Sequence, residues 1–184
     1  MPKKLYAKDT FDTLESEVLF TQAALAADPE ATAFSAETAD WLGWVDAARA
    51  ADRAFRLHEA KIDARRIVAN GRLDAACIEF GKRLLGASNQ DRQSPRFKRF
   101  FAKAPTVFVR QALDKQVASV FGWLATSDEP TLEELRAELT TWAGACRDAQ
   151  DQTAALGPKR GENDARRAKL ADELDEARAR EKAL

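Results

Sequence analysis

The stretch LEELRAELTTWAGACRDAQDQTAAL, residues 132–156, decides the fold class, because its apolar residues recur in alternating steps of three and four. The positions on this repeat are Leu132, Leu135, Leu139, Trp142, Cys146, Ala149, Thr153 and Leu156. This spacing puts all eight side chains on one face of an α-helix and is typical of a heptad seam. Pro130 and Thr131 precede the repeat and are common in the first turn of a helix. We therefore predict a helix from about residue 130 whose apolar seam packs against another helix.

The composition of the whole chain favours helices over strands. Alanine, the best helix former, accounts for 37 of the 184 residues, whereas the strand-favouring isoleucine and valine together number 10. Glycine and proline are few, at 8 and 6, and 32% of the residues are charged. The sequence therefore predicts an all-α fold, a helical bundle with long antiparallel helices that form a coiled-coil-like hairpin.

Apolar periodicity and helix-breaking residues place the other helices of the bundle. They are expected at residues 10–27, 36–86, 95–102 and 105–125. The pair Asn70-Gly71 is the one breaker inside the second of these, and the same apolar face resumes after it. The pattern leaves open whether the helix ends or continues there. The segment GASNQDRQ, residues 86–93, is the clearest predicted loop.

The C-terminal part of the chain is predicted to be a separate helix. Gly157-Pro158 should end or kink the preceding helix, because proline lacks an N–H and clashes with the carbonyl group four residues earlier. Beyond it, Leu170 and Leu174 continue the apolar phase in a strongly charged segment. We expect a bundle domain over residues 1–157 and a charged C-terminal helix over residues 158–184, which protrudes or pairs with another chain.

Several features point to the cytoplasm. No apolar run approaches the ~20 residues that span a bilayer, and the basic N-terminal residues 1–8 are not followed by the apolar segment of a secretory signal. The two cysteines, Cys77 and Cys146, lie within helical patterns. We interpret them as buried free thiols rather than as a disulfide.

The sequence contains no constellation that predicts catalysis. His58 is the only histidine, which removes most acid–base and metal-dependent mechanisms. No glutamate precedes it by three residues, as a di-iron bundle requires. No glycine-rich loop has the context of a phosphate-binding loop. We therefore predict no enzymatic activity, no cofactor and no metal site, with His58 at the protein surface or its boundary.

One segment, residues 92–115, combines basic and aromatic side chains and is the candidate binding site. Its cations are Arg92, Arg96, Lys98, Arg99, Lys103, Arg110 and Lys115, and they interleave with Phe97, Phe100, Phe101 and Phe108. Such a segment could bind an anion or a partner, the phenylalanines stacking on bases or docking on an anionic membrane. Alternatively, the phenylalanines plug the end of the bundle and the cations face acidic helices. Residues 9–35 carry a net charge of −6 and residues 126–157 one of −5.

These patterns favour a non-enzymatic interaction or assembly protein, a scaffold or adaptor that acts through its helix faces. The partner would be another protein or a second copy of the chain. The alternative is a module that binds an anionic polymer or surface, such as nucleic acid or an anionic membrane, through residues 92–115. The sequence pI of about 6.0 weighs against a dedicated nucleic-acid protein.

Overall fold

The computed structural model describes residue 5 and residues 10–29 and 35–182, and it confirms the all-α fold. Long helices pack together as a helical bundle, and the described part of the chain contains no strand. Among these residues, no helix combines the length and apolar character needed to cross a membrane. Most of the basic N-terminal stretch and the last two residues lie outside the described range.

The first helix, α1, spans Phe11–Ala27 close to the predicted bounds. Its N-cap is Thr10, whose side-chain oxygen accepts a hydrogen bond from the backbone N–H of Thr13. The short helix α2 spans Ser35–Thr38 and is separated from α3 by a turn. The prediction of one helix from residue 36 was therefore wrong at its start.

Helix α3 runs from Trp41 to Ala87 without interruption, 47 residues in all. Asn70-Gly71 thus lies inside the helix, and the cost of one exposed glycine, roughly 1 kcal/mol relative to alanine, is too small to break it. The helix ends at the predicted loop, where Asn89 and Gln90 adopt left-handed backbone conformations with φ of 52° and 61°.

Two predicted helices between residues 95 and 126 are shorter or divided in the structure. Helix α4 spans Pro95–Lys98, where residues 95–102 were predicted. The helix predicted for residues 105–125 is divided into α5, Pro105–Phe108, and α6, Leu113–Thr126. The reason is packing, since the turns after α4 and α5 let the phenylalanines around them enter the core.

The last helix, α7, spans Pro130–Lys182 and includes Pro158 in its interior. The predicted end or kink at Gly157-Pro158 is therefore not a helix boundary. Proline removes one backbone hydrogen bond, but buried side chains on both sides of it, Leu156 and Leu170, hold the helix in place.

Contacts within the chain divide it into two compact units. Unit 1 comprises Met1–His58 and Leu156–Leu184, and unit 2 comprises Glu59–Ala155. This grouping differs from the predicted division at residue 157, because it places the C-terminal half of α7 with α1 and the start of α3.

Unit 2 is an antiparallel hairpin of α3 and α7 completed by α4, α5 and α6. Arg83 near the end of α3 pairs with Glu134 near the start of α7 at 3.0 Å, and Arg72 lies over the ring of Trp142, 6.0 Å from its centroid. Most of the predicted seam faces this core, which includes Leu132, Leu135, Leu139 and Cys146 together with Leu73, Cys77, Phe80 and Leu84 of α3. The seam from Leu132 to Cys146 thus packs within the chain.

Unit 1 packs α1 and the C-terminal half of α7 against the start of α3. Its core contains Leu5, Leu14, Val18, Trp41, Val45, Leu170, Ala171 and Leu174. The backbone N–H of Leu5 also donates to both carboxylate oxygens of Asp175, at 3.1 and 3.0 Å. The charged C-terminal segment therefore supplies apolar residues to a core.

Substitution by alanine is expected to have opposite effects on stability at two glycines of α3. A Cβ atom at Gly81 would lie 2.2 Å from Cγ of Pro105, whereas one at Gly71 would meet nothing within 4 Å. We expect Gly81→Ala to lower the free energy of unfolding by roughly 1–3 kcal/mol, because the ring of Pro105 must move. Gly71→Ala should instead raise it by about 0.5–1 kcal/mol through helix propensity. Urea unfolding of both variants tests this, and equal effects would contradict the close packing of α5 on α3.

Candidate functional site

An apolar groove lies on the surface of the hairpin in unit 2. It has a volume of about 460 Å³ and runs between α3 and α7 at the end of the core marked by Ala69. The residues that line it are Ala64, Arg65, Val68, Ala69, Trp142, Ala145, Asp148, Ala149 and Gln152. Four of the nine are alanines, so the groove arises because small side chains leave the space between two helices unfilled.

Helices α4, α5 and α6 do not contribute to the lining of this groove. Their buried residues pack against α3 from Ala69 to Leu84, whereas the groove follows α3 from Ala69 back to Ala64. Val68 is 58% exposed there, and its neighbour Ile67, which does not line the groove, is 68% exposed. The groove therefore presents apolar side chains to solvent.

Each wall of the groove carries one charged residue at its edge. Arg65 belongs to α3 and Asp148 to α7, and both are exposed. Neither forms an ion pair with another part of the chain that the structure describes. The groove thus has a cation and an anion on opposite walls, neither of them in an ion pair with a described residue.

The candidate segment 92–115 is divided by the structure into a buried and an exposed set. Its four phenylalanines are between 1% and 6% exposed and belong to the unit 2 core, as the packing alternative predicts. The ring of Phe101 lies 5.6 Å from that of Phe108 at 86°, an edge-to-face arrangement. In this fold these rings cannot stack on bases or enter a membrane.

Arg96 stabilises the fold through hydrogen bonds within the chain. Its Nε donates to Glu129 at 3.0 Å and its Nη1 to the carbonyl oxygen of Ala87 at 2.9 Å. The hydrogen bond from Arg96 holds the pKa of the Glu129 carboxyl below its ordinary value, although burial opposes this. Because the folded-state pKa is lowered, the pair stabilises the folded chain at neutral pH, and this contribution is lost as the pH falls through that pKa.

The other six predicted cations are exposed. Arg99 donates from Nη2 to the carbonyl oxygen of Thr126 at 3.1 Å. The remaining side chains form no ion pair or hydrogen bond within the described range, and they are those of Arg92, Lys98, Lys103, Arg110 and Lys115. None of the seven cations lines the groove, so the structure does not gather them around that cavity.

The cysteines are free and buried, as predicted. Burial raises the pKa of the Cys77 thiol to about 12 and that of Cys146 to about 11. Both thiols are therefore protonated at neutral pH and are poor nucleophiles or metal ligands. His58 lies exposed on α3. Within the described residues no three histidine, cysteine or acidic side chains come together in a way that could hold a metal ion.

The sequence did not predict that Asp52 of unit 1 is buried and bound by side chains of α7. Asp52 is 8% exposed, and its carboxylate accepts from Asn163 at 3.0 Å and from Arg167 at 3.0 Å. It also pairs with Arg56 at 2.8 Å. Asn163 and Arg167 interrupt the apolar phase of α7, and a polar residue at a core position is the signal that could have revealed a buried partner.

No protein-family model matches the chain, and neither a curated protein nor a solved structure is significantly similar to it. The function is therefore inferred from the surfaces described above.

Proposed function

We propose that this protein is a non-enzymatic helical assembly protein that binds a second copy of itself through the unit 2 groove. The observation that carries this proposal is the exposed apolar floor of the groove, with Val68 58% exposed beside Trp142. Contiguous exposed apolar surface commonly marks an interaction site. A groove between two helices fits another helix, because the ridges of one helix pack into the grooves of its neighbours.

Charge complementarity selects a second copy as the occupant. A two-fold interface brings the same surface of both copies together, so that residue i of one contacts residue j of the other and the reverse. If the two-fold axis runs along the groove between the two copies, α3 of each copy lies over α7 of the other. Arg65 of each copy then faces Asp148 of its partner, and the two groove charges, which form no ion pair among the described residues, are both paired.

Charge reversal tests this pairing through the behaviour of mixtures. Arg65→Asp and Asp148→Arg each place like charges opposite one another in a two-fold dimer, so each variant alone should be monomeric. A mixture of the two restores both ion pairs, and we expect a heterodimer in sedimentation velocity. We expect the circular dichroism of each single variant to be unchanged, because both positions are exposed. This measurement shows that the variants still fold. If the mixture stays monomeric while the native chain dimerises, the proposed arrangement is wrong.

The alternative is a module for anionic polymers or surfaces that uses residues 92–115. Its support is the exposed set of cations, five of which have no partner in the described chain. Loss of salt-sensitive heparin retention on replacing Lys98 and Lys103 with glutamine would favour it. Arg96 is left intact in that test because it holds Glu129.

A further inference from the structure

A second cleft lies wholly within unit 1 and is lined by arginine. It has a volume of about 430 Å³ between the first turn of α1 and parts of α3 and α7. Its lining comprises Arg49, Arg53, Arg56, Arg167, Asp12, Asp52, Thr10 and Phe11. The volume falls within the range of small-molecule sites, about 300–1,000 Å³. Cations outnumber acids in it by four to two.

Both acids of the cleft are already engaged by arginine. Asp52 pairs with Arg56 at 2.8 Å and with Arg167 at 3.0 Å. Arg49 donates to Asp12 at 2.9 Å and also binds Glu15 outside the cleft. The negative charge is therefore compensated by three of the four arginines, and the fourth adds an uncompensated positive charge.

Arg53 is that fourth arginine. Its side chain forms no hydrogen bond or ion pair with the residues that the structure describes, although it lines the cleft. Together with Arg49 and Arg56 it follows the i, i+4, i+7 spacing that places side chains on one face of a helix. Each guanidinium presents N–H donors in a planar fork that matches the geometry of phosphate oxygens.

We propose that this cleft binds a small molecule carrying a diphosphate group. Consecutive guanidinium groups along α3 match a ligand with more than one phosphate, and a cleft of about 430 Å³ is larger than a single phosphate ion requires. The N-terminal turn of α1, which contributes Phe11 and Asp12, adds the positive end of a helix dipole. The site lies within unit 1 and does not depend on the proposed dimer.

Calorimetric titration of the full chain with inorganic pyrophosphate tests the site. At constant ionic strength we expect saturable binding that Arg53→Gln weakens by about tenfold or more, the loss of one charge-assisted interaction. Arg53 has no contact to lose inside the described chain, so the variant should melt at the native temperature. Arg92→Gln is the matched control and should bind as the native chain does, because Arg92 is an exposed arginine of unit 2 that likewise has no partner among the described residues.

A parallel titration with adenosine diphosphate distinguishes the source of the diphosphate. If adenosine diphosphate binds more tightly than pyrophosphate, the ligand is a nucleotide. If the two bind equally, the cleft recognises the diphosphate group alone. Both outcomes support a diphosphate site in the cleft. Absence of saturable binding by either probe would overturn the proposal. Equal weakening by Arg53→Gln and Arg92→Gln would overturn it too, because it would show a general response to surface charge.

Discussion

Replacing Phe80 with alanine is expected to lower the free energy of unfolding by about 3 to 5 kcal/mol. The side chain is fully buried at the point where α3, α4 and α6 meet. Its ring centroid lies 5.1 Å from that of Phe100, 5.6 Å from that of Phe101 and 5.7 Å from that of Trp123. Truncation removes all three aromatic contacts and leaves a cavity that the surrounding rings, themselves packed against one another, cannot fill. Chemical denaturation followed by circular dichroism measures the loss.

The control for Phe80 is a phenylalanine on the surface. Phe20 on α1 is 62% exposed, so Phe20→Ala should change the stability by no more than about 0.5 kcal/mol. Similar losses for both variants would contradict the assignment of the unit 2 core. They would also reopen residues 92–115 as an aromatic binding surface, because Phe100 and Phe101 of that segment pack against Phe80.

Val68→Asp should weaken self-association by about 10- to 100-fold without unfolding the chain. In the proposed dimer Val68 is covered by the second copy, and a carboxylate left unpaired in an interface costs about 1–3 kcal/mol or more. In the separate chain the same carboxylate is solvated, because Val68 is 58% exposed. Sedimentation equilibrium gives the change in dissociation constant.

Ile67 provides the matched control for Val68. It is the adjacent residue, is 68% exposed and does not line the groove. Ile67→Asp therefore changes charge and hydrophobicity on the same turn of α3 but should leave the association constant unaltered. An equal loss of association in both variants would assign the effect to general surface charge and remove the support for the groove.

The fold class could be predicted from the sequence because helical periodicity is a local property. The repeat of residues 132–156 fixed which face of α7 is buried, and Leu132, Leu139 and Cys146 are fully buried in the structure. The repeat did not identify the partner helix. A heptad seam has the same appearance whether it packs against α3 of its own chain or against another chain.

The errors in helix ends arise where tertiary packing outweighs local preference. Pro158 is accommodated inside α7 because residues of the helix before it pack into the unit 2 core and residues after it into the unit 1 core, which a local rule does not include. Conversely, residues 109–112 have no breaker of that strength, yet α5 and α6 are separate helices. The buried position of Phe108 accompanies that division.

The candidate sites were less accessible to sequence reasoning than the fold. The groove results from alanines on two segments about 80 residues apart, and the cleft is lined by both Arg53 and Arg167. Each site therefore depends on which helices pack together, and periodicity does not specify that. The basic segment 92–115 could be identified from the sequence because its residues are adjacent in the chain. The phenylalanines of this segment lie in the unit 2 core, and Arg96 donates a hydrogen bond to Glu129.

Light scattering of the native full chain across a dilution series measures whether the chain forms a dimer. We expect a mass that rises with concentration from the 20.4 kDa of one chain toward twice that value and no further, because a two-fold interface closes on itself. A mass that stays at 20.4 kDa at every concentration would contradict self-assembly through the groove.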